Sequence, residues 1–496
     1  MNSRPKNELA LSVDPCGDVP LYRQIYEEIR VAILTGRIGP GETVPSTREL
    51  ALSLDVSRTT AKLAYDLLLS EGYIEGHVGS GTKVCDLLPE ETSRVRQKSS
   101  PQRSGPVPLR HTLSATGRAL VGMENEPDHT GLKFRFHYCR PDVSAFPYVQ
   151  WRRLQLDGLR GQDHDLFNYQ QDGMGYRPLR QALARYLGRS RAVRCDADQI
   201  VIVNGTQQAL ALLASVLLDP GDAVALENPG YSGALDIARQ HRARVFEVPV
   251  GAEGLRIEAL PRRGARFLYV TPSHQFPTGV VLPLARRLEL LRWAASTGTL
   301  IMEDDYDSEF RFGSRPVPAL QGLDEAGSVA YLGTFSKTMF PSIRIGYVVL
   351  PRSLVQAVER AKWTLDRHVA ALDQRALTSF LETGLYERHL RRMRKIYARR
   401  RSVLLTALGT EFGRAVEVLG DPAGLHLMIR LKTRLSDDEV VARAAAQGVG
   451  IVSAAIYYAG KGPGGEFVLG YGQVLETEIV LGVKRLARAI GQAKAA

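Results

Sequence analysis

The pattern that most restricts what this chain can become begins near residue 134. From there, short apolar runs rich in Val, Ile and Leu, at 200–203, 223–226, 267–270, 299–302 and 347–350, alternate with stretches of helical period. A strand buried on both faces reads as an unbroken apolar run, and strands separated by helices are joined by crossovers. Residues 134–496 are therefore expected to form an α/β domain on a mainly parallel sheet, with a smaller α+β lobe towards the end. Residues 86–133 carry Pro89, Pro101, Pro106 and Pro108 among many Ser, Thr and Arg, without an apolar period, and read as a linker. Residues 18–85 are dense in helical periodicity and form a separate module.

In that module Leu21, Ile25, Ile29 and Ile33 recur at four-residue steps, with Val31 and Leu34 widening the stripe, which predicts an amphipathic helix over 21–35. Ser46 and Glu49 have the spacing of a capping box and open a second, short helix. Leu54, Asp55 and Val56 end it before Ser57 caps a third, running to about Ser70 with Leu63, Ala64, Leu67 and Leu68 facing inward. Two helices joined by a tight turn make a helix-turn-helix, whose second helix presents its first turn to the DNA major groove. The polar cluster Ser57-Arg58-Thr59-Thr60 sits at that turn. The stretch 73–84, with Gly76, Gly79 and Gly81, reads as two short strands around a turn, a wing suited to a DNA backbone or minor groove. Net charge does not carry this reading: the chain has 64 Lys and Arg against 53 Asp and Glu, but residues 1–133 hold 16 against 17.

The α/β half carries a different chemistry. Ser336-Lys337-Thr338, with Arg344 seven residues beyond the lysine, suits an aldehyde cofactor bearing a phosphate: an amine for a Schiff base, hydroxyls and a guanidinium for the dianion. Glu303-Asp304-Asp305-Tyr306 ends an apolar run with carboxylates and a phenol, and a carboxylate is the expected partner of a protonated pyridine nitrogen. Asn204-Gly205-Thr206-Gln207 passes from a strand into a helix, where free N–H groups favour phosphate. Tyr231, after Asn228-Pro229-Gly230, offers a ring for stacking. The four cysteines, Cys16, Cys85, Cys139 and Cys195, have neither disulfide nor metal spacing, so reduced thiols and no metal site are expected. With no apolar run near the roughly 20 residues of a membrane span and no signal-peptide core, a cytoplasmic protein without membrane contact is expected.

The motifs P-S-T-R-E-L-A from Pro45, V-S-R-T-T from Val56, E-G-Y-I from Glu71 and G-S-G-T from Gly79 resemble the winged helix-turn-helix of GntR regulators. That resemblance implies DNA contacts by Arg48, Ser57, Arg58, Thr59, Thr60 and Lys62, with Gly79 near the wing tip. The stretch from Phe134 resembles fold-type I pyridoxal 5'-phosphate enzymes of the aspartate aminotransferase kind. By that resemblance Lys337 forms the Schiff base, Asp304 pairs with the pyridine nitrogen, Tyr306 meets the ring hydroxyl and Tyr231 stacks on the ring. Thr206, Gln207, Ser336 and Arg344 then hold the phosphate. The two parts together are similar to the MocR group of bacterial regulators. The implied protein is a homodimer on a double-stranded DNA operator, whose aminotransferase-like domain senses pyridoxal phosphate itself or a small amine. A working aminotransferase with an appended reader is the alternative.

The match departs from the enzymes in two places. Ser273-His274-Gln275-Phe276-Pro277-Thr278-Gly279 stands for an Asn-Pro-Thr-Gly motif whose Asn bonds the ring hydroxyl, so His274 or Gln275 would have to take over that bond. Val468 aligns with the arginine that clamps a substrate carboxylate, so common α-amino acids should bind poorly unless another arginine moves in. One further feature stands apart: Arg388, Arg391, Arg392, Lys395 and Arg399 lie at helical spacing opposite Leu390, Met393 and Tyr397, either as a solvated basic face or as a second contact to DNA.

Overall fold

The computed structural model describes residues 11–77, 81–88, 113–121, 131–138, 140–160, 167–169, 173–312, 317–420 and 422–491. The chain divides into two units, Met1–Thr112 and Leu113–Ala496.

In the first unit α1 (Leu21–Leu34), α2 (Thr47–Ser53) and α3 (Arg58–Ser70) precede an antiparallel pair, β1 (Ile74–His77) and β2 (Gly81–Val84). Both caps form as their sequence requires. Ser46 and Glu49 close a capping box on α2, and the Ser57 hydroxyl accepts the N–H of Thr60 at the head of α3. The buried stripes differ in detail from expectation. On α1 they comprise Ile25, Tyr26, Ile29, Ala32 and Ile33, whereas Val31 and Leu34 are exposed. On α3, Ala61, Ala64, Tyr65 and Leu68 are buried, while Leu63 is exposed. At about 100° per residue, Val31, Leu34 and Leu63 project far from the centre of their stripe, and the small side chains of Ala32 and Ala61 let the helices approach instead.

In the second unit the helix Ala115–Val121 stands inside the stretch read as a linker, most of which lies outside the described residues. After β3 (Phe134–Arg135) come the eight strands of one sheet: β4 (Ile200–Val203), β5 (Ala223–Asn228), β6 (Arg244–Gly251), β7 (Gly254–Leu255), β8 (Phe267–Val270), β9 (Leu300–Asp305), β10 (Val329–Thr334) and β11 (Gly346–Val349). Their order is β4-β11-β10-β9-β8-β5-β6-β7. Strands β6, β5, β8, β9 and β10 run parallel. Strand β11 is antiparallel to β10, and β4 is antiparallel to β11, so β4 shares the direction of the parallel set. Alternation within the strands explains the unbroken apolar runs: Phe267 and Tyr269 pack towards the helix Thr206–Leu217, Leu268 and Val270 towards the helix Leu284–Thr297. The C-terminal ends of β4, β5, β8, β9 and β10 lie along one edge, where β11 begins.

The remaining strands are β12 (Val416–Leu419), β13 (His426–Leu431), β14 (Val449–Gly450), β15 (Val452–Ser453) and β16 (Glu466–Gly470). Four of them form an antiparallel sheet in the order β12-β13-β16-β15, and β14 pairs in parallel with β3. The long helix Leu385–Phe412 packs on the helix Glu476–Ala489. It buries Leu390, Met393 and Tyr397 and exposes Arg388, Arg391, Arg392, Lys395 and Arg399. Among the described residues, no helix is long and apolar enough to cross a membrane.

Candidate functional site

Where the parallel strands end, their connections enclose a cavity of about 420 Å³. The residues expected to hold a cofactor, Thr206, Gln207, Tyr231, Asp304, Tyr306, Ser336, Lys337 and Arg344, all line it. Strand alternation sorts the paired carboxylates at the end of β9. Asp305 turns to Arg191, 2.7 Å away, and accepts the Tyr331 hydroxyl at 2.6 Å. Burial alone would raise its pKa, but Arg191 and these hydrogen bonds hold it below the usual carboxylate range. Asp304 turns into the cavity, where one oxygen accepts the Tyr269 hydroxyl at 2.7 Å and the other, Oδ1, has no partner among the described residues. Burial, with Asp305 adding, pushes the Asp304 carboxyl up to about 7 against the pull of Tyr269 and Lys337. A buried carboxylate with an open oxygen lacks a cation, and a protonated pyridine nitrogen is a cation of that kind.

The opposite end suits a dianion. The helix Thr206–Leu217 starts without a side-chain cap, so its dipole and first N–H groups face outward. Gly205, at φ 107°, precedes it, and a Cβ there would stand 3.1 Å from the guanidinium of Arg344. The glycine thus lets Arg344 lie against the helix start, where it donates to the Asn204 carbonyl. Ser336 follows β10 on the same edge, its N–H held by Thr334 Oγ1 at 3.1 Å. Gln207 spends its amide otherwise: Nε2 donates to the Gly233 carbonyl at 3.0 Å, and Oε1 accepts the Tyr231 hydroxyl at 3.1 Å. It steadies the Tyr231 ring. A Cβ on Gly233 would come within 2.4 Å of that amide oxygen and 2.6 Å of the Tyr231 ring, so a larger residue there would displace both side chains.

On the third side the expectation for His274 and Gln275 is corrected: Phe276 lines the cavity and they do not. Gln275 Nε2 donates to the Pro229 carbonyl at 2.9 Å, and the His274 imidazole lies 3.1 Å from both Asp307 Oδ1 and the Tyr306 hydroxyl, so these contacts hold both side chains out of the cavity lining. Tyr306 donates to the His274 carbonyl at 2.9 Å, and its hydroxyl also lies 3.1 Å from His274 Nδ1. Sequence spacing indicated no metal centre; the fold nevertheless brings His274, Asp307 and His426 together, fully buried, with ligand atoms within 4.8 Å of one another. The cavity also contains residues that no motif announced: His137, Tyr138 and Arg140 after β3, and Tyr269 within β8. Tyr269 had a detectable signal, since a phenol inside a doubly buried strand needs a polar partner.

The first unit presents its polar residues outward. Arg48 on α2, and Arg58, Thr59 and Lys62 on the first turns of α3, are exposed, and the three cations make no ion pair with any described residue. Ser57 and Thr60 share a hydrogen bond of 2.8 Å between their hydroxyls within the cap. Gly79 lies outside the described residues.

Known proteins match both parts. Residues 143–464 match the family described as aminotransferase class I and II, and residues 21–84 match bacterial regulatory proteins, gntR family. A winged helix-turn-helix on an aminotransferase fold with such a cavity defines a DNA-binding transcriptional regulator whose second domain binds pyridoxal phosphate. The chain belongs to the MocR group of GntR-family regulators. It is 39% identical to the probable rhizopine catabolism regulatory protein MocR of Rhizobium meliloti, over 89% of this chain and 87% of that one. It is 29% identical to the pyridoxine biosynthesis transcriptional regulator PdxR of Corynebacterium glutamicum, over 94% and 95% respectively. The crystal structure of LysN, an α-aminoadipate aminotransferase from Thermus thermophilus complexed with N-(5'-phosphopyridoxyl)-L-leucine, superposes with a TM-score of 0.67 at 30% identity, covering 76% of this chain and 95% of LysN.

Proposed function

We propose that this regulator works in the cytoplasm as a homodimer on two operator half-sites, and that the occupancy of its strand-end cavity sets how the readers engage DNA. Arg48, Ser57, Arg58, Thr59, Thr60, Lys62 and Gly79 form the DNA contact. Lys337 holds the cofactor covalently, Asp304 holds the pyridine nitrogen, and Tyr306 meets the ring hydroxyl. Tyr231 covers the ring, and Thr206, Gln207, Ser336 and Arg344 take the phosphate. When bound, pyridoxal phosphate supplies an aldehyde carbon that a primary amine can occupy in place of lysine. The signal is pyridoxal phosphate itself or such an amine, and the names of the relatives point both ways, one to pyridoxine biosynthesis and the other to rhizopine catabolism.

Asp304 carries this reading: a buried carboxylate with one unpaired oxygen facing a cavity that also contains a lysine and an uncapped helix start. The regulator's main task is sensing, with at most weak transamination, because Phe276 and Val468 supply neither a donor nor a cation at the positions where the enzymes have them. The test uses full-length protein stripped of cofactor, with operator affinity followed as pyridoxal phosphate is titrated back and amines are then added. A change in affinity with either addition supports a sensor, and an affinity indifferent to both rejects it.

A further inference from the structure

Among the described residues, three cations face the cavity: Lys337, Arg344 and Arg140. Arg344 is committed to the helix start at Gly205. The wall where the enzymes carry an arginine is apolar here, since Val468 is fully buried against Tyr138, Phe276, Tyr306 and Met428. The segment carrying Arg140 is laid along that same strand and its continuation. Gly470 N–H donates to the Phe136 carbonyl at 2.9 Å, and a Cβ on Gly472 would come within 2.3 Å of the Arg140 carbonyl. A chain path this close, possible only against glycine, brings Arg140 to the cavity lining, which Val468 itself does not reach. That side chain is exposed and makes no ion pair with any described residue, whereas the buried Arg191 and Arg400 are each paired with a carboxylate, Asp305 and Asp142.

We infer that Arg140 is the anchor of the effector and that the effector is an amine carrying an acidic group, its amine towards Lys337 and its anion on the Arg140 guanidinium. This rests on the cavity being a cofactor site. The fork of donors on a guanidinium matches a carboxylate in two parallel bonds, whereas the ring-lined wall around Val468 would leave an anion buried without a partner.

The experiment uses the full-length, cofactor-loaded protein. Calorimetric affinities are measured for glycine, β-alanine, γ-aminobutyrate and taurine, each against the uncharged amine of the same length, and operator affinity is measured with each. The expected result is that at least one acid binds 10-fold or more tightly than its uncharged counterpart and alters operator affinity. Arg140→Gln should weaken that acid by about 10- to 100-fold, as for loss of a charge-assisted hydrogen bond, and leave the uncharged amine within about twofold. Arg140→Lys should fall between, and Arg140→Glu should turn preference towards putrescine. Taurine separates a sulfonate from a carboxylate as the anion. Cofactor absorbance and melting temperature verify the loaded fold of every variant, so loss of the cofactor site itself reads out separately. Equal binding of acids and uncharged amines, no binding of any acid, or an acid preference that survives Arg140→Gln overturns the inference.

Discussion

The cavity and the reader keep their polar side chains in opposite states. In the cavity Asp304, Tyr269, Tyr306 and Ser336 are buried, and neighbours hold several of the lining groups: Tyr269 bonds Asp304, Gln207 bonds Tyr231, and Arg344 bonds the Asn204 carbonyl. In the reader Arg48, Arg58 and Lys62 stand in solvent, and only the caps that set their helices are fixed. The difference follows from the partners. A small cofactor is gripped by a dry, preorganised cage, where an unmatched charge is costly. DNA offers a row of phosphates to mobile cations, and each contact contributes modestly and is screened by salt. Substitutions should therefore be severe and specific in the cavity, and graded in the reader.

The largest effect is expected at Lys337. Lys337→Ala should abolish the long-wavelength absorbance of the loaded protein while leaving its circular dichroism intact, because the side chain is only half-buried and adds little to the core. A spectrum that persists would place the covalent link on another lysine and remove the cavity from the comparison.

Asp304 comes next, through pH. Its carboxyl is raised from the ordinary value to about 7. As pH rises from about 4 to 7 the unfolded chain ionises first, so cofactor-free protein loses stability across that window, by at most about 4 kcal/mol. Asp304→Asn lacks this loss. Cofactor-free melting temperatures of the two proteins should converge near pH 4 and separate in favour of the Asn variant above pH 7. Glu309, pushed to about 7 by burial, and Glu303, pushed to about 6, act alike in both proteins and cancel in the difference, whereas Glu227, pushed to about 7 by burial with Asp304 adding, falls in the Asn variant and widens the gap. Loading the cofactor should shrink the gap. A gap that is independent of pH would mean that Asp304 is ionised without a partner.

In the reader, Arg58→Ala should cost about 1 to 3 kcal/mol of operator affinity and relax base preference, if its guanidinium meets a guanine in two bonds. Footprinting of a variant shown to be folded checks it, and an unchanged footprint returns Arg58 to a solvated helix start.

The same contrast decides what could be read from the residues alone. Caps and strand ends are local chemistry, so α2, α3, β4 and the cofactor cup were legible at Ser46, Ser57, Gly205, Asp304 and Lys337. Stripe membership was less so: Val31, Leu34 and Leu63 are apolar but face water, because the neighbours that decide burial are set by tertiary packing. The effector end was not legible. Arg140 reaches the cavity through the pairing of β3 with β14 and the contact with Gly470 and Gly472, more than 300 residues away. His274 and Gln275 had the right donors, but these are taken up by Asp307, Tyr306 and the Pro229 carbonyl.

The smallest effect is expected on the helix Leu385–Phe412, the other exposed cationic face. Arg388, Arg391, Arg392 and Lys395 make no ion pair with any described residue, and in that respect they resemble the reader. Their setting differs. They occupy the outer side of a scaffold helix whose inner side carries Leu390, Met393 and Tyr397, and a long surface helix needs such a side to stay in water whatever it binds. Arg399, one turn on, already meets Glu476 at 3.5 Å. Neutralising Arg388, Arg391 and Arg392 to Gln should therefore change the slope of log affinity against log salt by less than about one, whereas neutralising Arg48, Arg58 and Lys62 should make it shallower by about 2 to 3. Equal changes in the two triple variants would show that DNA touches both faces. Exposure of an unpaired arginine would then mark a nucleic-acid contact in either unit, and the surplus positive charge of residues 134–496 would belong to the operator complex as much as the reader does.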